Sequence, residues 1–269
     1  MDPELLHPDS AWTPAVRAVV TIGDQIAAMR PIEALPDAAR HAAQHDADMV
    51  AHHGLRTALA DAYPGIPVIS EEDAEHDDQR PARYWLIDPI DGTASWSGGF
   101  PGFVCQVACI EHEQVVFSAI HAPVLQRTWT CSDGGGAYDN GQRLPPRHAP
   151  VADADLVVID NYPQPRGVAA DLMSWLGTAR YRESGSIGLK AALVASGEAD
   201  VFVKDVVVRD WDLAPAIALI RQVGADVRRG DGQPYRLHGP LAKPEGVLVT
   251  ATAELSARIS PWLGKRQPR

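Results

Sequence analysis

Two short apolar runs in the first third of the chain each end in acids. Val68-Ile69-Ser70 leads into Glu71 and Glu72. Trp85-Leu86-Ile87 leads into Asp88 and, past a proline, Asp91. A carboxylate drawn out of water is costly unless something neutralises it. A fold that buries these runs must therefore bring their acidic ends to a place where positive charge is supplied. Residues 66–70 and 84–87 read as short buried strands, and Asp88-Pro89-Ile90-Asp91-Gly92-Thr93 follows the second. Proline fixes φ and carries no N–H, so the chain is expected to turn sharply after Asp88. That turn would aim both aspartates at one point and expose the Ile90 carbonyl between them.

Hard divalent cations take oxygen ligands, and Mg²⁺ favours a few carboxylates with water and substrate phosphate. Two ions about 4 Å apart can clamp a phosphoryl group and activate water together. Glu71 offers a further carboxylate from the neighbouring strand. Gly92-Thr93-Ala94 would open a helix whose free N–H groups make a phosphate seat. The same D-P-x-D-G string is also ordinary turn chemistry, and alone it divides between the two readings. Farther on, Trp211-Asp212 precedes the apolar run from Leu213, which places Asp212 at an expected helix N-cap. Its apolar-then-acid order also makes it a candidate last metal ligand.

With 269 residues, 45% of them hydrophobic, the chain can bury a large core as one domain or two intimate ones. A formal net charge of -11 argues against a nucleic-acid polymer as partner and is compatible with acids that hold cations. Cys105, Cys109 and Cys131 form no CxxC pair and leave an odd thiol, which suits a reducing cytosol. No leader-like segment or membrane-length apolar run is visible, so a cytoplasmic protein without membrane attachment is expected.

Residues 11–30 and 48–63 have helical periodicity, with a less regular stretch between them. From Phe103 to Leu144 the pattern is an antiparallel meander, with Asn140-Gly141 as a tight-turn signal. Beyond Pro150, strands at 156–159 and 199–203 alternate with helices at 168–176, 188–196 and 213–223. The expected division is an α+β half over 1–148, with most of the acids and the antiparallel sheet. An α/β half over 149–269 contributes Asp212 and substrate contacts.

Taken together, these motifs resemble the inositol monophosphatase superfamily: Ser70-Glu71-Glu72, the run from Trp85 to Thr93, and Trp211-Asp212-Leu213-Ala214. Ala122-Pro123 through Asn140-Gly141 and Gly185-Ser186 followed by Leu193 to Asp200 are similar to the same family. The resemblance spans about residues 46–235. It implies an α+β fold, the layered α/β/α/β/α sandwich, and a phosphomonoesterase using two or three Mg²⁺ ions. Glu71, Asp88 and the Ile90 carbonyl would hold one ion. Asp88, Asp91 and Asp212 would hold the second, and Glu71 would touch a third. The Gly92 and Thr93 amides would bind phosphate. The Thr93 hydroxyl would pair with Asp48 to orient or deprotonate the attacking water. In-line hydrolysis without a phosphoenzyme, lithium sensitivity and a homodimer are also implied. One departure is that Asp46 stands where the family has a threonine, and the preceding loop, PIEALPDAARHAAQ, has no lysine.

The substrate implied is a small phosphorylated metabolite. Ser70-Glu71-Glu72-Asp73, Leu189-Lys190 and Lys204 are similar to the bacterial 3'(2'),5'-bisphosphate nucleotidase branch. Gly185, Ser186, Lys190 and Lys204 then become candidate substrate contacts, the two lysines taking a second phosphate. Ala94-Ser95-Trp96 and Gly99-Phe100-Pro101 resemble inositol and sugar monophosphatases instead. Asp160-Asn161-Tyr162 stands where the nucleotidase branch has Ser-Arg-Ser and is expected not to welcome a second phosphate, and Asp205 is a candidate ligand for a polyol hydroxyl. A third reading is a degenerate member that binds metal and metabolite without turnover. Asp133-Gly134-Gly135-Gly136 lacks the Gly-Lys-Ser/Thr of a nucleotide-binding loop and reads as a hairpin turn. Ser184-Gly185-Ser186-Ile187-Gly188 lacks the spacing of a nucleophile elbow. His45, His52 and His53 are expected to face solvent on a helix, and Trp85, Trp96, Trp129 and Trp211 to pack in the core or at its rim.

Overall fold

The computed structural model describes residues 6–31, 35–76, 79–150, 152–178 and 180–265. Two sheets and three helix layers alternate. In the first sheet, β1 (Val68–Ser70) lies parallel to β2 (Arg83–Asp91). The meander β3 (Val104–Glu111), β4 (Gln114–Ala122), β5 (Arg127–Ser132), β6 (Gly136–Asp139) and β7 (Gln142–Arg143) extends it to seven strands in chain order. Asn140 and Gly141 have φ of 46° and 78°, the left-handed pair that the β6–β7 turn requires.

The second sheet has the order β12-β14-β10-β8-β9, built from β8 (Val157–Asp160), β9 (Arg180–Glu183), β10 (Val201–Lys204), β12 (Asp226–Arg229) and β14 (Val247–Thr250). β8, β9 and β10 run parallel, and β12 and β14 are antiparallel additions. A small ribbon pairs β11 (Val208–Arg209) with β13 (Ala242–Lys243).

Helices α1 (Thr13–Ala28) and α2 (Asp37–Ala62) cover one face of the first sheet, and a short α3 (Thr93–Ser97) follows β2. Helices α5 (Ile187–Ala195) and α6 (Asp210–Gln222) pack between the two sheets, while α4 (Gly167–Leu176) and α7 (Ala253–Leu263) cover the outer face of the second. The result is the expected α/β/α/β/α sandwich. Its largest apolar cluster lies around α5 and α6, joining Leu86 and Ile120 of the first sheet to Phe202 and Val249 of the second. Trp85, Trp96, Trp129 and Trp211 are all buried, as expected. No helix among the described residues is long and apolar enough to cross a membrane.

Three local expectations are corrected. Helix α2 begins at Asp37, so residues 37–44, expected to be loop, form its first turns. These turns are Ala-rich and mostly exposed, which favours helix without leaving an apolar stripe to read. Residues 32–34 of that presumed loop lie outside the described residues. β2 does not stop at Ile87 but runs through Asp91. His52 is buried on α2, where its Nδ1 lies 2.8 Å from Ser70 Oγ. His45 and His53 are exposed.

Candidate active site

The geometry at the end of β2 comes from one extra residue. Asp88 pairs with Gln106 of β3 and Asp91 with Val104, so three steps on β2 match two on β3. In a regular strand, residues three apart point to opposite faces; a bulge restores them to one face. The core records the switch. Tyr84 and Leu86 face the α5–α6 layer, whereas Trp85, Ile87 and then Ile90 face α1 and α2. Asp88 and Asp91 both turn toward α5 and α6. The sharp turn expected after Asp88 is thus a bulge within the strand, and Pro89 is tolerated there because a bulge leaves an amide unpaired.

Each acid is then fixed by a different element. The Glu71 amide donates to Ile87 O at 3.2 Å, continuing the β1–β2 pairing and placing its carboxyl beside Asp88. Asp91 accepts from Gly188 N at 2.6 Å and Ile187 N at 3.3 Å, at the start of α5. Asp212 accepts from Arg209 N at 2.7 Å. Arg209 is the N-cap of α6 and Asp212 its third residue, so the expected N-cap aspartate is corrected to the acidic member of a capping box. The preceding acid, Asp210, is fully buried against Arg80 at 2.7 Å and anchors this end of α6.

Gln106 links these pieces. Its Nε2 lies 3.3 Å from Asp88 Oδ2, 3.3 Å from Asp91 Oδ2, 3.1 Å from Trp211 O and 3.2 Å from Asp212 O. Sequence reasoning passed over it. Its signal was a lone amide inside the otherwise apolar VCQVACI. Gly188 was also missed: a Cβ there would stand 2.2 Å from Gln106 Oε1 and 2.8 Å from Asp91 Oδ2.

Crowding sets the electrostatics. Burial, then the Glu71, Asp91 and Asp212 charges, holds the Asp88 carboxyl well above the usual carboxylate range. Asp212 is likewise held well above it by burial and Asp91. Burial raises Glu71, opposed by its hydrogen bond with Asp88. Asp91 is pushed up to about 6 by burial, against the pull of the Gly188 amide and the Lys190 charge. Asp88 Oδ1 is buried with no hydrogen-bond partner. Among the described residues, no three acid, histidine or cysteine side chains are drawn up into a ready ion cage. The donor set nevertheless suits a hard cation, being oxygen-only, mutually repelling and left with one orphaned oxygen.

Around this cluster, Gly92 has a φ of 93° and caps α3, and a Cβ there would meet Ser186 Cβ at 2.8 Å. Thr93 begins α3 and is half-buried. Asp48 is buried on α2 and pushed up to about 7 by burial and then the Glu72 and Glu71 charges. No hydrogen bond joins Thr93 to Asp48 among the described residues. Gly185 and Gly102 touch through their backbones, and Ser186 N donates to Gly102 O at 2.7 Å, tying the segment after β9 to the one after α3 beside Gly92. Ser186 caps α5 by accepting from Leu189 N, and its hydroxyl also meets Asp91.

The two lysines are already engaged. Lys190 is 1% exposed, and its ammonium donates to Gly185 O and to Asn161 Oδ1. Burial and then Lys204 push it down to about 7. Lys204 pairs with Asp160 at 2.5 Å. Asp205 is exposed.

A family model described as the inositol monophosphatase family matches residues 16–262. The chain belongs to this family. The match reaches beyond residues 46–235 at both ends, taking in α1 and α7. Among relatives in the family, the chain is 32% identical over 195 residues to "3'(2'),5'-bisphosphate nucleotidase CysQ" of Escherichia coli O6:H1, covering 70% of this chain and 76% of that protein. It is 32% identical over 151 residues to "Fructose-1,6-bisphosphatase/inositol-1-monophosphatase" of Thermotoga maritima, a match spanning 56% of this chain and 58% of that one. The solved structure of inositol monophosphatase II from Staphylococcus aureus superposes with a TM-score of 0.78 at 18% identity, covering 94% of this chain and 95% of that one. At that identity the likeness bears on the fold.

Proposed function

We propose that this protein is a Mg²⁺-dependent phosphomonoesterase whose substrate is a nucleoside 3'(2'),5'-bisphosphate. The observation that carries the reading is the bulge in β2, which turns Asp88 and Asp91 onto one face with Glu71 and Asp212 and leaves Asp88 Oδ1 without a partner. Glu71, Asp88 and the Ile90 carbonyl would hold one ion; Asp88, Asp91 and Asp212 would hold a second; Glu71 would reach a third. Bound there, the ions supply charge neutralisation for phosphate oxygens and lower the pKa of water. The chain's own groups do the rest. The amides of Gly92 and Thr93, at the start of α3, orient the phosphate. Asp48, pushed up to about 7, is matched to holding a proton near neutral pH, with the Thr93 hydroxyl as the group that orients the water. Gln106 and the α5 amides keep Asp88 and Asp91 aimed, and Gly185 and Ser186 form the wall next to the leaving group.

A second reading, an inositol or sugar monophosphatase, is favoured by the burial of Lys190 and by the exposed carboxylate of Asp205. Phosphate release with Mg²⁺ from 3'-phosphoadenosine 5'-phosphate, inositol 1-phosphate, fructose 1,6-bisphosphate and histidinol phosphate separates the two. The expected result is preference for the nucleotide. Preference for a monophosphate establishes the second reading, and no release from any of them overturns both.

A further inference from the structure

The parallel strands β8, β9 and β10 deliver their carboxyl ends, Asp160-Asn161-Tyr162, Glu183-Ser184-Gly185-Ser186 and Lys204-Asp205, to one edge of the second sheet. Ligands of such sheets bind off this edge. Here the edge opens on the acid cluster, because the Ser186 hydroxyl meets Asp91. A substrate seated on the acids would extend its leaving group across it.

The cations near this edge are mostly spent. Arg182 of β9 pairs with Glu198 at 2.6 Å and Lys204 with Asp160 at 2.5 Å. Lys190 is buried on a carbonyl and the Asn161 amide. Arg166 differs. It is exposed and has no carboxylate partner among the described residues. Its guanidinium lies over the Tyr162 ring, 4.9 Å from the centroid, and Lys204 Nζ stands 5.6 Å from the same centroid. Tyr162 is 40% exposed, and its backbone is held by the Tyr181 hydroxyl, which donates to Tyr162 O at 2.7 Å. A guanidinium resting on an aromatic ring keeps its N–H edge open and forgoes part of its rotamer freedom in advance. That edge matches the oxygens of a phosphate two at a time. In a chain of net charge -11, an unpaired arginine at the mouth of an acidic site calls for an anion.

We propose that Arg166, positioned by Tyr162, holds the second phosphate of a bisphosphorylated substrate, the task the sequence assigned to Lys190 and Lys204. This rests on the phosphatase reading above and specifies what the site recognises beyond the scissile ester. The test compares adenosine 3',5'-bisphosphate with adenosine 3'-monophosphate. The expected result is that Arg166→Ala lowers the bisphosphate-to-monophosphate ratio of kcat/KM about tenfold, chiefly through KM for the bisphosphate. Arg166→Lys should recover part of the loss, and Tyr162→Leu should give about a threefold loss, with the Tyr181 hydrogen bond to the backbone left in place. An unchanged ratio in Arg166→Ala overturns the proposal while leaving the phosphatase reading intact. If the wild-type protein releases phosphate from neither nucleotide, that reading fails and calorimetric titration of the bisphosphate decides the platform. An affinity about tenfold weaker in Arg166→Ala supports it; equal affinity, or no binding by the wild type, overturns it.

Discussion

Replacing Asp91 with asparagine separates the cost of this carboxylate from its use. Burial raises Asp91 from the ordinary 3.8 to about 6. The folded state therefore holds the proton more tightly than the unfolded state, and stability falls as pH rises from 3.8 to about 6, then levels off. The displacement corresponds to about 3 kcal/mol at pH 8 without divalent ions. Asparagine removes that charge but offers one acceptor to the Gly188 and Ile187 amides, and an unmatched amide costs about 1–2 kcal/mol. The net expectation is a gain of about 1–2 kcal/mol, or a Tm about 2–6 °C higher in EDTA at pH 8. Mg²⁺ should raise the Tm of the wild type and raise that of Asp91→Asn less, since Glu71, Asp88 and the Ile90 carbonyl remain. Phosphate release should fall about 100-fold or more, beyond the roughly 10–100-fold of an outer-shell partner. Thermal unfolding with EDTA and with Mg²⁺, at pH 5 and pH 8, reads all of this. A variant that melts below the wild type in EDTA at pH 8 would refute the electrostatic argument. One that keeps both the Mg²⁺ response and turnover would refute the ligand assignment.

Other consequences can be checked alongside. Gln106→Leu, which removes the amide shared by Asp88, Asp91 and the start of α6, should weaken Mg²⁺ binding about 10–100-fold in a thermal-shift titration while the far-ultraviolet circular dichroism is retained. Gly185→Ala should destabilise by about 1–3 kcal/mol or more, since its Cβ would stand 1.7 Å from Gly102 O; a Tm within a degree of the wild type would show that the two segments are not held there. Arg80→Met leaves the buried Asp210 carboxylate to Lys243 Nζ at 3.6 Å and the Tyr235 hydroxyl, and should cost up to about 3 kcal/mol, with Arg80→Met/Asp210→Asn recovering part of it in a denaturant titration.

Much of the site was legible because its chemistry is carried by short strings at the ends of strands. Glu71, Asp88, Asp91 and Asp212, singled out in the sequence, lie close enough to raise one another's pKa, and the meander with its Asn140-Gly141 turn was plain in the alternation of residues. Context decided what was not legible. The bulge cannot be read from β2 alone, because it is a mismatch of register with β3. Asp212 read as an N-cap since it precedes an apolar run, yet Arg209 fills that position and the helix opens at Asp210, whose charge is hidden against Arg80. The two lysines looked free because their acceptors, Gly185 O, Asn161 and Asp160, are distant in sequence or belong to the backbone. Arg166 drew no attention because nothing in NYPQPR shows that its arginine lies across its tyrosine.

Helix α6 carries Asp212 from the middle of the sandwich, where it touches four strands of the meander and also β12 of the other sheet. It cannot slide or rotate without unpacking both sheets, so Asp212 is as fixed as the core itself. The loop after β9 is tied to Gly102, but those after β8 and β10, with Tyr162 and Asp205 exposed, carry no such obligation. Descendants of this architecture can therefore exchange one leaving group for another by editing a few exposed residues, while the phosphate end of the substrate is inherited unchanged.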